Sequence, residues 1–389
     1  MNNLKVSLVR PGCAEGRYTL RAKSCILAVL SWGTAEAPLA GWGPFAYVPI
    51  DPAGNGSFSF PGRRGIPGEA DHVWARCYAA DFGSFEDISA EIPVRFRPSE
   101  SENGEYRRFS VFTDLHLVSR PWRIRKAFKA AESDTVFLLG DMTNDGTAEQ
   151  FAEFRTCIEE AAPEKTFFPV TGNHDVLQVS SDDASDGCGN YNEFQKCLLT
   201  KAEGKGHRIC FDPDGRAYAV QMGGIDLIGL QCVTQGRRFL FPERKQIDWL
   251  EGHLEAACAS WHIILCHAPL LAHNPNRNTG APYLHLDSRI QKIAERTGRV
   301  IFLSGHTHKT PNTLAGNCEY DAEHQNIYLD CGSVAATETS GETGLMSTDW
   351  NDGCRTELKI SRDTVEICMS SIETGIHFPR GFYRLQAGH

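Results

Sequence analysis

No stretch of this chain is long and apolar enough to cross a bilayer. The best candidate, Cys25-Ile-Leu-Ala-Val-Leu-Ser31, falls far short of the ~20 residues a spanning helix needs and reads as a buried strand. The opening MNNLKVSLVRPGCAEG lacks the apolar run of a secretory signal, so a cytoplasmic location without a membrane partner is expected. Positive charge is in short supply: 39 Lys and Arg face 49 Asp and Glu, for a formal net charge of −10. That balance argues against a nucleic-acid partner, whose phosphates need clustered cations. It leaves room for a small anionic substrate, which needs only local positive charge or a metal. The 14 cysteines include no CxxC pair, and without export they are expected to be reduced thiols. Also missing are a GxSxG elbow and a GxxxxGK[ST] loop, which removes elbow-type serine hydrolysis and P-loop chemistry.

What is present divides in two, as a length of 389 residues suggests. Residues 1–98 carry short β-prone runs (Lys5–Val9, Ser24–Ser31, Ser57–Phe60, His72–Ala79, Ile88–Phe96) between turns rich in Gly, Pro, Asp and Asn. This rhythm predicts an all-β accessory sandwich of immunoglobulin or fibronectin-III type, with no chemical motif. A polar linker, Pro98–Glu105, follows. Residues 107–389 form the second unit, where strands alternate with helices: Phe109–Thr113, Trp122–Glu132, Thr135–Leu139, Ala148–Ala161, Thr166–Thr171. Such βαβαβ order implies a parallel sheet and an α/β fold. The end, Thr356–Ser361 and Thr364–Ser370, reads as a hairpin turning at Arg362-Asp363.

Chemistry gathers at the strand ends. The first gives Thr113-Asp114-Leu-His116, the second Gly140-Asp141, the third Gly172-Asn173-His174-Asp175. Two later strands end in His267 and in Gly305-His306-Thr-His308. Each alone has an ordinary reading, such as an Asp capping the next helix or a hydrogen-bonded structural histidine. Together, in order and each at a carboxyl-terminal strand end, they predict one convergent site. Asp, Asn and His without Cys suit borderline-to-hard divalent ions, namely Mn, Fe, Co or Zn. The donors exceed what one tetrahedral ion takes, and two ions sharing a carboxylate account for the surplus.

With its DxH, GDxx(D/N), GNH(D/E), lone His and GHxH segments, the region from about Asp114 to Cys331 resembles the calcineurin-like metallophosphoesterase superfamily. The resemblance implies a four-layer αββα sandwich and two divalent metal ions as cofactors. Asp114, His116 and His308 would bind one ion, Asn173, His267 and His306 the other, and Asp141 both. His174 would be the catalytic acid, and a metal-bridging hydroxide the nucleophile. In GDMTNDG, Asn144 and Asp145 stand where the phosphoprotein-phosphatase branch has Asp and a phosphate-gripping Arg. That departure disfavours a phosphoprotein substrate and leans towards a small phosphodiester, nucleotide or organophosphate. Among loop residues, Arg277 is the candidate substrate-binding cation, and Val176–Gly206 is expected to be a helical insertion around Tyr191–Leu199 more than a lid. The competing reading is a non-catalytic binding module on the same scaffold, separable by metal content.

Overall fold

The computed structural model describes residues 3–10, 13–19, 27–39, 47–49, 55–61, 70–78, 83–95, 106–117, 121–177, 186–231, 233–235, 238–240, 244–270, 273, 287–308, 311, 317–335 and 353–387. Arg277 lies outside them, so the reading of it as a substrate contact has no structural counterpart. Among the described residues two large mixed sheets dominate. The first runs Thr166–Val170, Thr135–Leu139, Arg107–Phe112, Cys354–Ile360, Thr364–Ser371, His377–Gln386 and Val94–Arg95 in spatial order. Its three leading strands pair in parallel, as the βαβαβ pattern requires. In the second, Ile225–Gly229, Trp261–Leu265, Val300–Ser304 and Asn326–Asp330 are also parallel neighbours.

The apolar pattern of each strand decides the layering. Strands of the first sheet send Phe109, Val111, Phe137, Leu139, Phe168 and Val170 into one core. That core also receives Leu227, Ile263, Leu265, Ile301 and Leu303 of the second sheet. Their alternate neighbours point outward on each side. Phe112, Val136 and Leu138 pack under the helices Pro121–Ala130, Ala148–Ala161 and Gly189–Gly204. Ile228, Ile264 and Phe302 pack under Arg244–Ala256 and Asp287–Thr297. Helices thus cover the outer faces of two facing sheets. Phe128 anchors the first outer layer, with Phe112, Phe154 and Phe167 rings at 5.6, 5.8 and 5.2 Å. Burying a side chain of that size contributes about 1.5–3 kcal/mol.

Every described regular element before Arg107 is a strand, which is compatible with the expected all-β segment. The strands do not all stay apart, however. Asn3–Arg10, Cys13–Thr19 and Asn55–Pro61 extend the second large sheet, because Asn3–Arg10 pairs antiparallel with Cys318–Asp321. Leu27–Gly33, His72–Tyr78 and their neighbours form a separate four-stranded sheet. Leu4, Val6, Leu30, Trp32 and Val73 belong to the same continuous core as the inter-sheet residues. The predicted strand Ile88–Phe96 is two pieces, Phe85–Glu91 and Val94–Arg95, which join different sheets. Pro93 sits at the break, where it has no N–H to give a ladder. Sequence reading also missed Cys13–Thr19, Tyr218–Gln221 and the long final strand His377–Gln386.

One buried acid in this frame has a measurable signature. Glu357, about 4 % exposed, faces Ser110 across the first sheet and accepts from its hydroxyl at 2.7 Å. The backbone N–H of Glu132 donates to its other oxygen at 3.2 Å. Burial pushes the carboxyl up to about 7, against the opposing pull of those hydrogen bonds. The unfolded chain therefore releases this proton at lower pH than the folded one. Stability associated with Glu357 is present below the unfolded value and is lost as pH rises to about 7. Glu357→Gln should be more stable than wild type by about 1–3 kcal/mol at pH 8 and close to it at pH 4.5. Denaturant melts at both pH values check this; a constant difference would show that the acid carries no such penalty.

Candidate metal centre

The parallel strands of both large sheets end at one rim, and hydrogen bonds join the two sheets there. Past Arg107–Phe112 the chain turns sharply, and the N–H groups of Leu115 and His116 both donate to Asp141 O, at 2.8 and 2.9 Å. Asp114 N donates to Gly140 O at 3.1 Å, so the first two strand ends are locked together. The second sheet reaches over in return. His267 Nδ1 donates to Leu139 O at 2.5 Å, and His306 N donates to the Asp114 carboxylate at 3.1 Å. A further segment, Ser333 to Ala335, completes the seam: Val334 N and Ala335 N donate to Thr113 O and Asp114 O, each at 3.0 Å. Arg123, buried on the helix Pro121–Ala130, fixes that segment by donating to the carbonyl of Ala335.

The backbone itself is unusual here. Among the described residues, seven that are not glycine have positive φ, and five of them are Asp114 (51°), His116 (44°), Asp141 (52°), His306 (68°) and His308 (53°). The left-handed region costs an L-residue about 1–2 kcal/mol, and Asp tolerates it better than branched residues do. Strain concentrated on candidate ligands points to a site that needs their side chains turned one way. The neighbouring glycines are explained by space. A Cβ on Gly172 would collide with the backbone nitrogen of Asp141, and one on Gly305 would fall against the Thr113 hydroxyl.

These turns bring the side chains into two overlapping groups. Ligand atoms of Asp114, His116, Asp141 and His308 lie within 4.8 Å of one another, and so do those of Asp141, His267 and His306. Asp141 belongs to both. His308 Nε2 is 3.1 Å from Asp114 Oδ1, and His267 Nε2 is 3.3 Å from Asp141 Oδ2. His116 and His308 point their Nε2 atoms at each other across 3.3 Å. Because Nδ1 of His267 is committed to a carbonyl, its Nε2 is the atom presented to the group. Asn173 Oδ1 is buried with no hydrogen-bond partner among the described residues. An orphan amide oxygen and imidazole nitrogens aimed at shared points fit divalent cations, and the oxygen–nitrogen donor set suits the first row.

Charge agrees with that fit. Burial resists ionisation of Asp114 and Asp141, yet nearby histidines outweigh it and hold both carboxyls below the usual range. Burial likewise resists a charge on His267, but Asp141 and Asp114 overcome it and raise the imidazole. His306 goes the other way, down to about 4, through burial and then repulsion from His267.

Sequence reasoning placed seven candidate ligands at strand ends, and the structure brings Asp114, His116, Asp141, His267, His306 and His308 into this cluster, while Asn173 follows Gly172 with its amide oxygen buried. His174 lies beside it, with its ring edge-on to that of His116 at 4.8 Å and its N–H on Asp141 Oδ1 at 2.7 Å. The insertion after GNHD contains the helix Gly189–Gly204. Trp249 packs against the outer core. What the sequence did not reveal is the supporting shell. Asp175, fully buried, accepts from the N–H groups of Thr143 and Gly172, both at 2.9 Å, tying two motif loops together. Thr113 Oγ1 lies 3.0 Å from Asp114 Oδ2. Ser333 and Arg123 act from loops and helices that carry no motif.

Comparison with known proteins bears on this arrangement. The model of the calcineurin-like phosphoesterase family matches residues 107–310, just over half of the chain. No curated protein matches. Among solved structures, that of PhoD is 10 % identical, with 100 % of this chain and 92 % of that chain covered and a TM-score of 0.46. The 5′-nucleotidase precursor from Thermus thermophilus is 14 % identical, with coverage of 73 % and 55 % and a TM-score of 0.37. Phosphopantetheinyl hydrolase (PptH) from Mycobacterium tuberculosis is also 14 % identical, with coverage of 59 % and 91 % and a TM-score of 0.37. The family match falls on the segment that carries every residue of the cluster, and the chain belongs to the calcineurin-like phosphoesterase family.

Proposed function

We propose that this protein is a hydrolase that uses two divalent metal ions to cleave a small phosphodiester, nucleotide or organophosphate. The observation that carries the reading is the pair of ligand groups sharing Asp141, with His174 alongside. Asp114, His116, His308 and Asp141 would hold one ion, and Asn173, His267, His306 and Asp141 the other. Mn, Fe, Co or Zn in these positions supplies Lewis acidity towards a phosphoryl oxygen and lowers the pKa of water.

The chain's own groups do the rest. Left-handed backbone at Asp114, His116, Asp141, His306 and His308 and the hydrogen-bonded seam hold the donors in place, which limits reorganisation on binding. His174 donates from Nδ1 to Asn144 O at 2.9 Å, so Nε2 is its free nitrogen for chemistry. From there it serves as general acid to the departing oxygen. Asp145, exposed at the loop tip, gives no grip to a dianionic phosphate, which favours diesters or substrates recognised by other parts.

Two outcomes follow. Mn²⁺ should raise the melting temperature of wild type by several degrees, while Asp141→Asn, which weakens both groups at once, should gain little. A folded wild type that neither retains metal nor responds to it would favour the binding-module reading. In turnover, His174→Ala should lose about 10²–10⁴-fold on an ester with an alkyl leaving group and far less on bis-p-nitrophenyl phosphate, whose leaving group needs no proton. Equal losses on both esters would remove His174 as the acid.

A further inference from the structure

The peptide whose carbonyl accepts a hydrogen bond from His174 is itself held from behind. Its carbonyl, Asn144 O, accepts from His174 Nδ1, and its N–H, that of Asp145, donates to Gln150 Oε1 at 2.9 Å. The same Oε1 takes the N–H of Asn144 at 3.0 Å, and Gln150 Nε2 donates to Asp145 Oδ2 at 3.0 Å. Gln150 is fixed in turn at the start of the helix Ala148–Ala161, where its N–H caps onto Thr147 Oγ1 at 3.2 Å. Both backbone groups of Gly146 are occupied too. Gly146 N donates to Thr143 Oγ1 at 3.1 Å, and Asn190 Nδ2 donates to Gly146 O at 2.9 Å.

We propose that Gln150 is a positioning residue for His174, acting through the single peptide plane between Asn144 and Asp145. The inference rests on His174 being the general acid. A hydrogen bond to the N–H of a peptide draws electron density towards its carbonyl, so the two bonds reinforce each other. Gln150 thereby makes Asn144 O a better acceptor and holds it where it selects the tautomer protonated on Nδ1. That leaves Nε2 to face the substrate. For the step the ring carries a second proton, on Nε2. As hydroxide, formed from water with loss of a proton to solvent, bonds to phosphorus and the P–O ester bond breaks, that Nε2 proton passes to the departing oxygen, giving a neutral alcohol. His174 is left with its proton on Nδ1, still on Asn144 O. A backbone carbonyl backed by an amide thus does the orienting that a carboxylate beside this histidine would do.

The test compares Gln150→Met, His174→Asn and the double variant on two diesters of equal size, one with an alkyl and one with a p-nitrophenyl leaving group. Gln150→Met should lose on the order of tenfold in kcat/KM on the alkyl ester and less than about twofold on the other, a fraction of the loss at His174. In the double variant its effect should vanish, since it works only through that ring. Nitrogen chemical shifts of the His174 imidazole provide a readout apart from turnover: Nδ1–H alone in the neutral wild-type ring, a mixture of tautomers in Gln150→Met. The paired exchange Gln150→Glu with Asp145→Asn keeps an acceptor on both peptide N–H groups and a donor–acceptor contact between the side chains. It should restore the alkyl ester rate, which guards against a loop that merely unravels. If Gln150→Met slows both esters equally, or adds fully to His174→Asn, or leaves the tautomer unchanged, Gln150 does not act through His174. If His174→Asn shows no leaving-group dependence, the general-acid reading fails first and the inference falls with it. If His174→Asn shows that dependence and Gln150→Met does not, only the inference is lost.

Discussion

Two carboxylates with almost no solvent exposure, Asp114 and Asp141, sit at the seam between the large sheets, and the rim is organised around their charge. Isolated carboxylates buried to that degree would be costly, because several kcal/mol of hydration are lost per ion. The chain answers with directed N–H groups from His174 and His306 and with a ring of imidazoles. It accepts left-handed backbone at five side chains to aim them. Such a site is incomplete without added positive charge, whether from protons or from divalent ions. Stability and chemistry therefore draw on the same interaction, and the fold holds a preorganised demand for cations at its most buried edge.

How much of this the sequence discloses depends on how local each feature is. The parallel strands and their crossover helices are written in short apolar runs followed by amphipathic ones, and Ala148–Ala161 could be bounded to the residue. The gathering of Asp114, His116, Asp141, His267, His306 and His308 was readable because strand ends of a parallel sheet share one rim. The supporting contacts were not. Gln150, Thr143 and Arg123 are ordinary residues of helix and loop, and only three-dimensional proximity gives them partners. The same reason hid the fusion of the first strands with the second large sheet. Periodicity shows which face of Asn3–Arg10 is buried, but an edge has no sequence signal for its neighbour.

That edge pairing has a consequence for how the molecule is made. The strand Asn3–Arg10 finds one neighbour at once in Cys13–Thr19, but its other, Cys318–Asp321, lies roughly 300 residues downstream. During synthesis the first hairpin emerges with one edge of N–H and C=O groups unpaired, and it stays so until most of the chain has left the ribosome. At ~5–20 residues per second that is an interval of tens of seconds. The central strand Arg107–Phe112 waits in the same way for Cys354–Ile360. Closing such distant pairs raises contact order and slows folding. Both large sheets are therefore completed from the last third of the chain, and a nascent chain cut short before Cys318 would carry open β-edges on both of them.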